Sequence, residues 1–324
     1  MVSAKGSDLS RQDFLSQITI FYFDFPKGDY MKKSFFYIIL AGVLWGTSGI
    51  FVHYLAPHGF TSLQMTAVRG IVSLLCLALY ALIFDKKLFR VTRIQLILCI
   101  CVGVSLFGTA GGYFASMQMT SVSTAVVLMY SAPIYVTIFS VLFFKERLSA
   151  FKLTALILMI LGCALVSGIV GGLKFDPLGI FLGILSGISY ASYNIFTKIA
   201  TRKGCKPLSV TLYSSLFMSL IALSFSKPHE IFLNAAKEPI FLVPMLIGLG
   251  VITFVLPYAF YSSAIKVLPA GTASALSIVE PMAATLFSVF LFDEKLTLYS
   301  GIGIVLILVA VFLLGRADGK GKET

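Results

Sequence analysis

The sequence predicts an all-α polytopic membrane protein of ten transmembrane helices, arranged as two inverted five-helix repeats. Three observations carry this. Of 324 residues, 58% are apolar and 12% charged, with a mean hydropathy of +0.96; a soluble domain is about 45–50% apolar and about 25% charged. Apolar runs of about 20 residues recur along the chain, each long enough to span a hydrocarbon layer about 30 Å thick. Residues 113–148 also reappear, altered, at 261–296. A backbone in lipid must satisfy its own hydrogen bonds, and long unbroken apolar runs select helices over a barrel.

Charged, Pro- or Gly-containing breaks divide these runs into ten spans. The first, 34–54, follows Met31-Lys32-Lys33-Ser34 and ends before Pro57-His58-Gly59. The second, 62–84, stops at Asp85-Lys86-Lys87, and the third, 94–116, starts after Arg93. The fourth, 121–144, ends at Lys145-Glu146-Arg147, and the fifth, 151–170, at Gly171-Gly172. The sixth, 177–198, begins at Pro177, and the seventh, 208–226, lies between Pro207 and Lys227-Pro228. The eighth, 240–263, the ninth, 270–292, and the tenth, 297–314, are bounded by Pro239, Lys266, Pro269, Asp293-Glu294-Lys295 and Arg316. The connections are too short for a soluble catalytic domain, and no GxxxxGK[ST] phosphate loop occurs.

Residues 1–30 mix polar, acidic and aromatic side chains and do not read as a cleavable signal. The expected organisation is therefore a disordered or non-native extension over 1–30, with translation opening at Met31 as one version. A first five-helix repeat follows over 31–170, a second, inverted one over 177–316, and a cytoplasmic tail over 317–324.

The net charge of +11 is dispersed rather than gathered into a nucleic-acid patch. In a membrane protein it reports orientation. With the N-terminus inside, about 17 Lys and Arg from Met31 onward are cytoplasmic, and only Lys174, Lys227, Lys237 and Lys295 lie outside. Both termini are thus expected in the cytoplasm, most simply at a prokaryotic plasma membrane. Five cysteines (Cys76, Cys99, Cys101, Cys163, Cys205) have no metal-ligand company and an odd count, so neither a disulfide framework nor a metal or other cofactor is expected.

A shift of 148 aligns the repeat without a gap, with about twelve identities in 36. Tyr113 falls on Tyr261, Pro133 on Pro281, Thr137 on Thr285, and Glu146 and Leu148 on Glu294 and Leu296. Five spans per half is an odd number, so the second half enters the bilayer the other way up. Inverted repeats of this kind build secondary transporters, with a site near mid-membrane between the halves.

The stretches MYSAPIYVTIFSVLFFKERLS (129–149), IVEPMAATLFSVFLFDEKLT (278–297) and AGVLWGTSGIF (41–51) resemble EamA-type permeases of the drug/metabolite transporter superfamily. The resemblance covers Met31 to about Arg316 and includes Arg69 and the Leu-Trp-Gly of the first span. Tyr190 stands where Trp45 stands in the other half, a mild departure. The resemblance implies ten helices in two inverted units that move small metabolites, often amino acids and often outward.

Glu280 lies about ten residues into the ninth span, roughly 15 Å deep, where a carboxylate needs a cavity or a partner. Substrate-ammonium binding, proton coupling and a structural hydrogen bond beside Pro281 are its three readings. Arg69 suits a substrate carboxylate, a pair with Glu280, a helix-carbonyl cap, or outer headgroups. Hydroxyl and amide faces that lipid would reject converge with them: Trp45 and Ser48 on the first span, Tyr113 on the third, Tyr190 and Asn194 on the sixth. Tyr258 and Tyr261 on the eighth and Ser277 on the ninth complete the candidate substrate site. Pro133, Pro257 and Pro281 fall within spans and are candidate hinges, with Gly108, Gly111 and Gly112 a second weak point in the third. Glycines 42, 46, 49, 179, 183 and 187 have the spacing of close helix packing, and His53, His58 and Gln64 form an outer rim.

The expected function is a secondary transporter or facilitator for a small metabolite, most simply an amino-acid-like exporter working by alternating access. The alternatives are a proton-coupled effluxer of hydrophobic or cationic compounds, a metabolite importer, and a non-transporting membrane scaffold. An intramembrane protease would need a mid-membrane Asp pair, a Ser/His dyad or HExxH, and the sequence has none; Asp85, Asp176 and Asp293 lie at span ends. Lipid and a small-molecule substrate are the expected partners, nucleic acid is not, and oligomeric state is open.

Overall fold

The computed structural model describes residues 30–120, 122–144, 149–166, 176–292 and 297–320. The expected 1–30 extension up to Asp29, the charged span ends at 145–148 and 293–296, the close of the fifth span at 167–170 and the end of the tail at 321–324 lie outside these residues.

Within the described residues, each of the expected spans is helical. Eight segments reach membrane-crossing length: Tyr30–His58, Ser62–Ile83, Arg93–Met119, Thr124–Phe143, Pro177–Arg202, Pro207–Phe225, Pro239–Ile265 and Ala270–Phe292. The fifth and tenth, Ala150–Val166 and Leu298–Leu313, are shorter apolar helices. Helix starts follow from local chemistry. Thr61 and Thr92 each accept from the backbone N–H three residues on, while Gln64 and Gln95 accept from the Thr backbone in return. Asp176 accepts from Gly179 N at 2.7 Å, and Pro177, Pro207, Pro228 and Pro239 occupy first helical positions. A short helix at Pro228–Ala235, between the seventh and eighth spans, was not expected; eight residues carrying His229, Glu230 and Asn234 give no spanning signal.

Span pairing has the symmetry of a duplicated unit. The fifth packs on the tenth and the second on the seventh; the third packs on the sixth as the eighth does on the first, and the fourth on the sixth as the ninth does on the first. Exchanging the halves maps this set onto itself. Two contacts fix the sense of the exchange. At one end of the second span Gln64 Nε2 donates to Glu230 Oε2 (3.2 Å) beyond the seventh. At the other end Ser209 Oγ, at the start of the seventh, donates to Leu88 O (2.9 Å), and Lys206 pairs with Asp85. The equivalent second and seventh spans therefore run antiparallel, which is what inversion requires.

Small residues set the closest approaches. A Cβ on Gly70 would stand 2.1 Å from Ser219 Oγ, and the Gly162 and Gly303 backbones meet so closely that a Cβ on either would lie under 3 Å from the other's carbonyl oxygen. The outer surface is the expected lipid face, with Leu79, Phe143, Phe181, Ile240 and Phe290 exposed.

Candidate functional site

Among the described residues four spans are interrupted. The fourth breaks between Val122–Met129 and Ala132–Phe144, and the ninth between Ala270–Leu276 and Val279–Phe292. These breaks are related by the repeat and lie just before Pro133 and Pro281. A proline fits the first turn of a new helix because its missing N–H has no intrahelical acceptor there. The chain crosses each break on short i→i−3 bonds, Ile134 N to Ser131 O and Glu280 N to Ser277 O. The eighth span passes through a wide π turn at Val251–Val255 just before Pro257, and the first breaks at Thr47, whose hydroxyl donates to Leu44 O at 2.6 Å. The third span, where glycines suggested a matching weak point, is instead one unbroken helix, Arg93–Met119. Its Gly108 and Gly112 seat it against Ser189 and Ser186 of the sixth.

The break in the ninth span puts Glu280 in the first turn of a helix, where the amide ends favour a negative charge. Gly42 and Gly46 bring the first span's backbone against this turn. The Glu280 carboxylate lies beside the Tyr130 hydroxyl, without closing a hydrogen bond of ordinary geometry, and within Coulombic reach of Arg69. Arg69 is likewise within reach of Tyr258, and Tyr113 of Glu280. Arg69, Tyr113, Tyr258 and Glu280 are each half-buried although protein surrounds them. Partly accessible polar groups gathered between spans are a candidate lining for an internal space.

Trp45 closes one side of that space. Its ring sits edge-on to Tyr258 (5.1 Å) and 5.4 Å from Tyr261, and its indole N–H has no acceptor. The Arg69 Nε–H is also without an acceptor. Buried donors left open are costly, so a ligand bringing acceptor oxygens suits this wall. Ser48 is half-buried one residue past the Thr47 break.

The other four expected residues are fully buried and spend their polar atoms on one another. Tyr190 donates to Ser277 Oγ at 3.0 Å, Ser277 donates to Ser274 O at 2.6 Å, and Tyr261 donates to Asn194 Oδ1. The expected set therefore divides into an open group around Glu280 and a closed group beneath it. Two further tyrosines border these groups. Tyr193, buried between Tyr190 (5.9 Å) and Tyr258 (5.5 Å), shares the sixth-span face with Tyr190. Tyr130 sits three residues before Pro133 and could have been found from the helix break that proline implies. Among the described residues no three His, Cys, Asp or Glu converge as metal ligands.

The model of the EamA-like transporter family matches this chain twice, over residues 32–168 and 177–316. The chain belongs to the EamA-like transporter family. The two matches coincide with the two halves of the fold. A relative from Archaeoglobus fulgidus, described as an uncharacterized transporter, is 33% identical over 281 residues, covering 86% of this chain and 95% of its own. The uncharacterized inner membrane transporter YicL of Salmonella typhimurium is 25% identical over 87% of this chain and 95% of its own. A solved crystal structure, 16% identical, superposes with a TM-score of 0.70 over 90% of this chain and 99% of that one, a likeness of fold alone. This EamA-like protein is a multi-pass membrane transporter.

Proposed function

We propose that the protein is a secondary transporter that exports an amino-acid-like metabolite by alternating access between two inverted units, 31–170 and 177–316. The single observation that carries the reading is the half-buried set of Arg69, Tyr113, Tyr258 and Glu280, with the buried Trp45 ring against Tyr258 and its N–H unpaired. A zwitterion matches it group for group. Its carboxylate meets the Arg69 guanidinium and the Trp45 N–H, its ammonium meets Glu280 and Tyr130, and its side chain lies against the tyrosine rings. Bringing both charges of one ligand satisfies two groups that are expensive at this depth when unpaired.

The sequence has no GxxxxGK[ST] phosphate loop, and in this reading movement follows gradients of the substrate or of a coupled ion. The export direction rests on the resemblance to permeases that work outward. Counterflow in proteoliposomes tests the reading. Vesicles preloaded with a panel of unlabelled amino acids are expected to accumulate the labelled counterpart of a subset, saturably, while carboxamide or N-acyl analogues do not compete. No counterflow across amino acids, with saturable movement of hydrophobic cations driven by a proton gradient, would replace this reading with an effluxer.

A further inference from the structure

Tyr190, Asn194 and Lys198 lie four residues apart on one face of the unbroken sixth span. All three are buried, and each reaches across to the eighth or ninth span. Tyr190 donates to Ser277, Asn194 accepts from Tyr261, and Lys198 Nζ donates to Leu268 O (2.7 Å) in the turn joining those two spans. Around them the first part of the ninth span is enclosed: from Ala270 to Val279 every residue is buried except Gly271, which abuts Thr137 of the fourth span.

The repeat supplies the matching positions in the other half. At a shift of 145, the spacing of the starts of the two halves, Trp45, Gly49 and His53 on the first span correspond to Tyr190, Asn194 and Lys198; at the shift of 148 that holds from residue 113 on, Met129, Tyr113 and Thr120 correspond to Ser277, Tyr261 and Leu268. None of the three bridges exists there among the described residues. The Trp45 N–H has no acceptor, a Cβ on Gly49 would meet nothing within 4 Å, and His53 stacks on Phe292 of the ninth span at 4.1 Å. The first span breaks at Thr47 where the sixth is one unbroken helix, and from Ala284 to Phe292 the ninth span has no buried residue. Among the described residues the three bridges close the end bearing Lys203, Lys206 and Lys266, and the end bearing His58 and Lys227 lacks their counterparts, the halves meeting there through Phe51, Leu55 and Phe60 against Ile231, Leu242 and Leu246 and through the Gln64–Glu230 bond.

We propose that the Tyr190–Asn194–Lys198 stripe is the cytoplasmic gate of the transport path, and that the structure is the state open to the outside. The outer gate closes when the Trp45–Gly49–His53 face swings onto Tyr113 and Thr120. Because Gly49 has no side chain where Asn194 makes a bridge, the outer gate holds with fewer bonds, and the outward-open state is favoured at rest. This rests on the alternating-access reading and on the orientation given by the charge bias.

Thiol accessibility tests it in a background with Cys76, Cys99, Cys101, Cys163 and Cys205 replaced by serine. A membrane-impermeant methanethiosulfonate is applied to intact cells and to inverted vesicles. Gly49→Cys is expected to react from outside, and Ser274→Cys, at a fully buried site, to be protected from both sides. Adding Lys198→Met to Ser274→Cys should speed its modification from the cytoplasmic side at least about tenfold, while Lys198→Arg, which keeps a donor, leaves it protected. Met and Arg variants behaving alike, Ser274→Cys reacting freely without either, or Gly49→Cys protected from outside would each overturn the gate. The labelling needs no substrate, so a failed counterflow assay with this pattern intact would count against the substrate reading and leave the gate standing.

Discussion

A Cβ on Gly46 would stand 3.0 Å from the Glu280 carbonyl oxygen and 2.8 Å from the Ala283 Cβ. The first span therefore lies backbone to backbone against the turn that carries the intramembrane carboxylate. Gly46→Val is expected to force the two apart, at about 1–3 kcal/mol for overpacking a close contact. The checks are a lowered Tm in detergent and loss of counterflow. Gly111→Ala, at a site where a Cβ meets nothing within 4 Å, should keep or raise the Tm, because alanine favours the helix.

Glu280→Gln keeps the shape and removes the charge. A hydrogen bond to a charged group contributes about 1.5–3 kcal/mol, so half-saturation for a zwitterionic substrate is expected to rise about tenfold to a hundredfold. An analogue without the ammonium should bind both proteins alike. Equal half-saturation for the zwitterion in the two would make the carboxylate structural.

Arg69→Lys preserves the charge and loses the planar fork of donors, including the unpartnered Nε–H. A point charge cannot replace two parallel N–H bonds to a carboxylate. Half-saturation should rise at least about tenfold while the chain still inserts and purifies as a monodisperse species. Affinity unchanged in Arg69→Lys would show that Arg69 serves charge alone.

Outside the lipid, the Lys206 ammonium at 2.5 Å holds the Asp85 carboxyl below its usual range. A lowered folded value means the contribution is present above the unfolded carboxylate pKa and is lost as pH falls through the folded one. The pair is solvent-exposed and screened by salt, so Asp85→Asn should cost no more than about 0.2–1 kcal/mol near neutrality. The Tm difference between the two proteins is expected to vanish in acid and to shrink in high salt. A difference that grows on acidification would contradict this assignment.

Much of the architecture was legible because lipid imposes it. The helical class and the order of the spans follow from apolar run length, and inversion from an odd number of spans per repeat. The unbroken third span was not legible, since glycine permits a bend without requiring one, and its Gly108 and Gly112 serve contact with the sixth. Nor was the division of the site. Tyr190, Asn194, Tyr261 and Ser277 have the same residue chemistry as Tyr113 and Tyr258, and only their cross-span hydrogen bonds separate closed from open groups. Lys198 counted as one more cytoplasmic charge in the sequence; its burial against Leu268 O depends on a turn seventy residues away. Tyr130 was legible only through the helix break that Pro133 implies, and Tyr193 only through its place on the Tyr190 face.

The antiparallel run of the second and seventh spans has a consequence for how such a chain can be assembled. Each half brings the surface that the other needs, so the peptide link between residues 166 and 177 fixes stoichiometry rather than shape. Fragments 31–166 and 177–320, made as separate polypeptides in one cell, are expected to find each other and copurify. A single ancestral half inserted in both senses would have formed the same bundle as a homodimer.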